Sequence, residues 1–299
     1  MLLISRNRLF PIVGFLVSVL GFSWAFNNFD YEQFKIHYLS ISQKYVFFSL
    51  FILLLSIWVR ALRWQFILND FDNIKTFSLF RFQLIGIFGN YIFPMKSGEL
   101  LRAYISSREL NRSKNYIFGT IITERIIDGL FIIVLAFVLF SMFGYNFSSK
   151  SIFILLLAIV FILLFAWACR KKKNQFEIVK GMNSSYQSGF NKLIILTIFI
   201  WFLVIVDIWF ISMAFSMKMN LLSILVILCA ITLGFSIPSP IPGNLGIVHS
   251  AIISPMILMG YEESQSIAFA IILHAHGFIL FTVLGGLCML LSSIYKWNK

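Results

Sequence analysis

Long apolar runs alternate with short polar segments along the whole chain. A helix that crosses the hydrocarbon core of a membrane needs about 20 predominantly apolar residues. The runs that qualify cover residues 9–26, 45–66, 116–143, 151–169, 193–217 and 264–292. This pattern predicts an all-α, polytopic membrane helix bundle with about six full spans and no soluble domain.

Two further apolar runs, 78–94 and 221–237, are short and end at prolines. Proline cannot continue a helix, and glycine favours a break, so both segments are expected to stop inside the membrane as re-entrant hairpins. The residues predicted to break the helices are Pro94 and Gly98 in the first hairpin and Pro238, Pro240 and Pro242 in the second.

The basic residues predict the orientation of the spans, because the loops richest in Lys and Arg face the cytoplasm. Lys75 and Lys96 flank the first hairpin and fall on the basic side, so this hairpin is expected to enter from inside. The second lies between Lys218 and Glu262 on the opposite side and is expected to enter from outside. The prediction is a multi-pass protein of the inner (cytoplasmic) membrane with both termini cytoplasmic, and with the first span retained rather than cleaved as a signal peptide.

The two halves of the chain repeat the same order of elements. A shift of about 150 residues lays each span or hairpin of residues 1–145 near a counterpart in residues 146–299. Three spans and a hairpin in each half would relate the halves by a two-fold axis in the membrane plane. Residues 1–299 are then one domain with an inverted repeat, in which the two hairpin tips meet near the membrane midplane. Transporters built in this way bind their substrate there.

Composition supports a membrane protein and excludes several other classes. Hydrophobic residues make up 60% of the chain, charged residues 12%, and the mean hydropathy is +0.90. The net charge of +12 follows the predicted topology, so nucleic acid is not an expected partner. The three cysteines stand singly in apolar runs and no HExxH motif occurs, so we predict no disulfide, no metal and no cofactor.

Charged residues follow the first hairpin and continue in the third span. Glu99 and Arg102 are one helical turn apart and can pair, either as a solvated ion pair at a helix start or as a charged site that lines a cavity. Arg125 can form a structural bridge with Asp128, or the charges of this span can face a partner or a wet cavity. The candidate binding residues of this half are Asn90, Glu99, Arg102, Glu124, Arg125 and Asp128.

The second half carries fewer charges. Asp207 is the acid of the fifth span, with pairing to a cation from the first half as the alternative to a binding role. The helix after Gly243 offers free amides for an anion, unless the segment is a plain proline turn. Gly243, Gly246 and His249 complete the candidate binding set. Arg60, Arg63 and Trp64 are predicted to form an interfacial anchor, with lipid phosphate as an alternative ligand.

Four motifs in this order resemble the lysylphosphatidylglycerol synthase transmembrane family, also called flippase-like domain proteins. They are Arg60-Ala61-Leu62-Arg63-Trp64; Asn90 with Pro94-x3-Gly98-Glu99-Leu100-x-Arg102; Thr120-x3-Glu124-Arg125-x2-Asp128; and Pro240-x-Pro242-Gly243-x-Leu245-Gly246. The resemblance implies movement or presentation of a charged phospholipid or a related lipid-linked compound across the inner membrane. The expected partners are membrane lipids with anionic headgroups, and enzymes of envelope synthesis are candidate protein partners.

This chain departs from the family pattern at two places. The family usually has a carboxylate where His249 stands, and an arginine in the last span, where this chain has His274, Ala275 and His276. An aminoacylated lipid is therefore not assumed as the substrate. The absence of a soluble aminoacyl-transferase domain argues against synthesis of such a lipid. Two alternatives to a transporter are an intramembrane enzyme or accessory protein of lipid-linked glycan synthesis, and an assembly scaffold.

Overall fold

A computed structural model describes residues 30–68, 74–142, 176–187, 189–237 and 239–297, together with Leu20 and Ser23. Within these ranges every regular element is a helix, which confirms the all-α prediction. The predicted spans 9–26 and 151–169, and Pro238, lie outside the described residues.

Ten α-helices and two 3-10 turns make up the described chain. The turns are Pro94–Lys96 and Pro242–Asn244. The helices are α1 (Tyr31–Leu39), α2 (Gln43–Leu68), α3 (Thr76–Ile92), α4 (Gly98–Glu109), α5 (Lys114–Met142), α6 (Glu177–Gln187), α7 (Phe190–Ala214), α8 (Leu221–Ser236), α9 (Ile247–Leu258) and α10 (Glu263–Trp297).

Four helices, α2, α5, α7 and α10, are long and apolar enough to cross a membrane. They coincide with the predicted spans 45–66, 116–143, 193–217 and 264–292. Helices α3 and α8 end where the short apolar runs meet their prolines, and each is followed by a 3-10 turn and a second helix. The helix–break–helix pattern is thus confirmed. The count of six spans, the re-entrant course of both hairpins and the inverted repeat stay predictions.

The chain divides into two compact units. The first contains Met1–Ser56, Leu84–Leu101 and Phe202–Lys299, and the second contains Ile57–Gln83 and Arg102–Trp201. In the first unit α1 packs on α10, and α9 packs on both α8 and α10. In the second unit the most extensive packing joins α5 to α6.

Glycines allow the closest helix contacts in the second unit. A Cβ added to Gly119 of α5 would lie 2.1 Å from the carbonyl oxygen of Ile178, and one added to Gly181 of α6 would lie 2.0 Å from that of Tyr116. Each helix therefore touches the backbone of the other at a residue without a side chain, a recurrent interface in membrane proteins.

The start of α6 is also tied to α5 by polar contacts outside the spans. Ser113, just before α5, donates a hydrogen bond to Glu177. Lys180 donates a second one, and these two bonds lower the pKa of the Glu177 carboxyl below its ordinary value.

The first unit contains both helix breaks. A Cβ on Gly98 would lie 2.0 Å from the carbonyl oxygen of Gly86, so α4 starts directly against the backbone of α3. At the second break the Asn244 side chain donates to the carbonyl oxygens of Gly234 (3.1 Å) and Ile237 (2.7 Å). Asn244 thereby satisfies carbonyls that the end of α8 leaves without helical partners.

Candidate functional site

The candidate residues fall into two groups, one in each unit, and each group is described by itself. In the second unit Arg60, Arg63, Arg102, Glu124 and Asp128 form a buried arginine–carboxylate cluster. Its members come from α2, α4 and α5. The cluster joins residues that the sequence assigned to an anchor, to a hairpin end and to a span.

Asp128 accepts hydrogen bonds from two arginines of α2. Arg63 binds both carboxylate oxygens, with Nη1 2.7 Å from Oδ1 and Nη2 3.0 Å from Oδ2. Arg60 Nη1 lies 3.0 Å from Oδ2. Arg63 Nη1 also donates to Thr197 at 2.9 Å. Because Arg60 and Arg63 are three residues apart on one helix, both reach the same carboxylate of α5.

Glu124, one turn before Asp128, is the carboxylate that pairs with Arg102. Arg102 Nη1 lies 2.7 Å from Glu124 Oε2, and the amide of Gln83 donates to Oε1 at 3.2 Å. The Arg63 guanidinium is 4.0 Å away. Glu124 and Asp128 are four residues apart and thus present two carboxylates on one face of α5.

Trp64 positions the guanidinium group of Arg102. The centre of that guanidinium lies 3.7 Å from the centre of the indole ring, within the range of a cation–π contact. The indole nitrogen donates to the Thr120 hydroxyl at 2.9 Å, which fixes the ring. Arg102 is therefore held between an aromatic face and the carboxylate of Glu124.

These contacts correct the prediction of an interfacial anchor. The exposed fraction is 1% for Arg63 and 0% for Trp64, so neither side chain lies at a lipid interface. Arg60 is partly exposed and stacks on Trp201. The sequence placed these residues at a helix end, but the carboxylate of Asp128 lies close enough to draw both arginines into the protein.

Arg125 occupies a different position from its two acidic neighbours. It is exposed on α5, whereas Glu124 and Asp128 are buried. The strong partners of Asp128 are the arginines of α2, so the bridge that the sequence suggested between Arg125 and Asp128 is not the contact that holds this carboxylate.

In the first unit the two helix breaks contact each other. The backbone N–H of Met95 donates to the carbonyl oxygen of Ser239 at 3.1 Å. Their meeting was predicted, and their depth in the membrane stays a prediction. Asn90 and Glu99 flank the first break and are half-buried. Asn90 Oδ1 is buried and has no hydrogen-bond partner within the described ranges.

The second break turns through glycines and ends in a capped helix. Gly243 and Gly246 have φ angles of 65° and 85°, which favour glycine. Helix α9 begins at Ile247, and the N–H of Gly246 donates to Nδ1 of His249 at 3.4 Å. The prediction of free amides is corrected for Gly246, because the His249 ring occupies its N–H. The ring of His249 lies 4.9 Å from that of His274.

Asp207 is buried in α7 and has two partners in the first unit. Ser49 of α2 donates to Oδ1, and Nε2 of His276 lies 3.1 Å from the same oxygen. The suggested partner was a cation from the first half of the chain; the ring found here belongs to the second half. The sequence separations are 158 and 69 residues, so neither contact follows from local spacing.

Several contributing residues were not predicted. Gln83 and Thr197 bind the arginine–carboxylate cluster, Ser49 binds Asp207, and Asn244 closes α8. For Gln83, Thr197 and Ser49 the available signal was a polar side chain inside an apolar helix, which is also common without any role, and Asn244 lies in the proline-rich turn. Among the described residues, no three His, Cys, Asp or Glu side chains are grouped to hold a metal ion.

Comparison with known proteins supplies the family. The model of the lysylphosphatidylglycerol synthase TM region matches residues 12–285, which is nearly the whole chain and includes both groups of candidate residues. No curated protein and no solved structure matches the chain significantly. Together with four membrane-length helices, this match makes the chain an integral membrane protein that belongs to the lysylphosphatidylglycerol synthase transmembrane family.

Proposed function

We propose that this protein moves a phospholipid, or a related lipid-linked compound with an anionic headgroup, across the inner membrane. The observation that carries the proposal is the arginine–carboxylate cluster, in which one carboxylate, Asp128, is shared by Arg60 and Arg63. Buried charges in membrane helices are costly and mark pathways for polar or charged groups.

The shared carboxylate leaves positive charge in a buried place. Asp128 carries one negative charge against two guanidinium groups, and Glu124 is paired with Arg102. Nε of Arg63 is buried and has no hydrogen-bond partner within the described ranges. A phosphate group supplies the missing negative charge and the acceptor oxygens, and its geometry matches the forked donors of arginine.

The residues of the cluster then have two kinds of role, phosphate binding and orientation of the arginines. Arg60, the more exposed arginine of the shared pair, contacts the phosphate first, and Arg102 adds a second guanidinium. Glu124 and Asp128 orient these arginines. The acyl chains of the lipid remain in the bilayer.

Both broken helices take part as re-entrant hairpins. Their tips provide backbone outside a regular helix, which membranes tolerate where it lines a cavity or is buried in protein. The protein lies in the inner membrane with both termini cytoplasmic, so the basic residues face the side that the positive-inside rule assigns to them.

Fluorescent phosphatidylglycerol in proteoliposomes tests the proposal. Quenching of the outer leaflet reports how fast lipid crosses. Arg60→Gln removes the excess charge, and we expect the rate to fall about tenfold, the effect of one lost charge-assisted hydrogen bond. Arg60→Lys retains the charge and is expected to keep most of the activity, and Arg108→Gln, a change at an exposed arginine, is the surface control.

Two results contradict the proposal. One is a rate no higher than in protein-free vesicles, and the other is an Arg60→Gln rate equal to that of the native protein. Mass spectrometry of the vesicle lipids after the assay separates transport from chemistry, because a new lipid product favours the enzyme alternative.

A further inference from the structure

Asp207 and His276 form a pair in the first unit, and neither residue belongs to the arginine–carboxylate cluster. Asp207 is 4% exposed and His276 is 9% exposed. Both belong to membrane-length helices, α7 and α10. Neither residue of this pair contributes to the proposed headgroup site.

The hydrogen-bond geometry of His276 requires a proton between the two residues. Nδ1 lies 3.2 Å from the carbonyl oxygen of Ile272, which can only accept, so Nδ1 carries a hydrogen. Nε2 lies 3.1 Å from Asp207 Oδ1. This second contact is a hydrogen bond only if one proton lies on Nε2 or on the carboxyl group.

Loss of that proton leaves the imidazole one hydrogen for two acceptors, the Ile272 carbonyl and the Asp207 carboxylate. One of the two contacts then loses its hydrogen bond, and the pair carries a buried negative charge. Ser49, which already donates to Oδ1, cannot also replace the lost proton on Nε2. A buried, unpaired carboxylate is costly in this environment, so deprotonation favours separation of α7 from α10.

A cavity of about 660 Å³ reaches the histidine of this pair. His276 lines it on α10, and apolar residues of α2 such as Val46 and Leu50 form another wall. A fully enclosed ion pair would exchange protons only when the helices open. An imidazole on a cavity wall can bind and release a proton directly from water that enters.

Other titratable groups lie near the pair on the packed helices. Tyr91 of α3 interacts electrostatically with Asp207. His274, two residues before His276 on α10, interacts with it. Tyr38 of α1 lines the same cavity. None of these three supplies a fixed positive charge that would replace the shared proton, because tyrosine is neutral or negative and His274 is itself titratable.

We propose that Asp207 and His276 are a proton-binding site that controls lipid movement: the bound proton holds α7 to α10, and its release lets them separate. This inference rests on the proposed function, because the proton acts on lipid movement, and it adds the regulation of that movement by pH. It predicts that lipid moves faster when the pair has lost its proton, and therefore faster at higher pH.

The rate of lipid movement in proteoliposomes, measured between about pH 5 and 9, tests the proposal. A single titrating proton changes this rate by at most about tenfold per pH unit. His276→Arg keeps the ion pair but cannot release its proton, and the cavity leaves room for the longer side chain. We expect it to be slow at every pH. His276→Leu has no donor for Asp207, and we expect a fast rate that changes less than about twofold over the range. His37→Gln, at a histidine of α1, is the control that keeps the native pH dependence.

Nitrogen-15 NMR of labelled histidine in bilayers gives a readout that does not require transport. His276→Leu identifies the signals of His276. The proposal expects hydrogens at both ring nitrogens at low pH, one of them shared with Asp207, and a hydrogen at only one ring nitrogen at high pH. If the native protein moves no lipid at any pH, the proposed function fails, and this titration alone supports or overturns the proton site. A native pH dependence retained in His276→Arg overturns the control of transport, and a His276 ring with the same protonation at both ends of the range overturns the site.

Discussion

Replacement of Asp128 by Asn tests whether the arginine–carboxylate cluster is held together by charge. The substitution keeps the shape of the side chain and removes the negative charge that Arg60 and Arg63 share. Arg63 is 1% exposed, so water cannot replace the lost partner. Breaking a buried ion pair by removing one member costs about 3–5 kcal/mol.

The expected loss lies at the lower end of that range. Thr197 still accepts a hydrogen bond from Arg63, and Glu124 remains 4.0 Å away. We therefore expect Asp128→Asn to lower the free energy of unfolding by about 3 kcal/mol. Equilibrium unfolding in mixed micelles, followed by tryptophan fluorescence, measures it.

A matched double variant separates charge from packing. Arg63→Met with Asp128→Leu removes both charges and keeps apolar volume, and such replacements are often neutral or stabilising, within about 1–4 kcal/mol. We expect the double variant to be more stable than Asp128→Asn and to move lipid no better. A cluster held by charge is refuted if Asp128→Asn costs less than about 1 kcal/mol, the size of a surface pair, or if the double variant is as unstable as the single one.

Two further substitutions test the packing around the candidate residues. Gly119→Ala places a Cβ 2.1 Å from the Ile178 carbonyl oxygen and should lower the free energy of unfolding by about 1–3 kcal/mol. Gly129→Ala on the same helix meets nothing within 4 Å and should raise it by up to about 1 kcal/mol. Equal unfolding free energies for the two variants would contradict this. Asn244→Ala removes two hydrogen bonds from the end of α8, and we expect faster amide hydrogen exchange in its last turn, with unchanged exchange as the opposing result.

The helices and their breaks were predictable because their causes are local. Apolar length alone sets which segments can cross a membrane, and all four predicted spans within the described ranges are helices of that kind. Proline acts on the turn in which it stands, so α3 ends at Ile92, just before Pro94. The sequence shows where the glycines are, but it does not show which backbone segment lies against each one.

The partners of the buried charges were less predictable, because they come from distant parts of the chain. The pairing of Glu99 with Arg102 was suggested from a three-residue separation, and the contact that fixes Arg102 is with Glu124 of another helix. An arginine near the end of a predicted span, such as Arg63, is typical of an interfacial anchor. Only the arrangement of α2 against α5 in the second unit shows that it faces Asp128 instead.

The histidines show how the same side chain fills two opposite electrostatic roles. At the start of α9, Nδ1 of His249 accepts a hydrogen bond from the Gly246 N–H. A carboxylate at the third position of a helix accepts the same capping hydrogen bond. On α10, His276 presents a nitrogen to Asp207, where an arginine would be a permanent partner. The chain thus has a hydrogen-bond acceptor at one place and an imidazole that faces a carboxylate at the other. The difference is that an imidazole donor facing a carboxylate can lose its proton, whereas an arginine cannot.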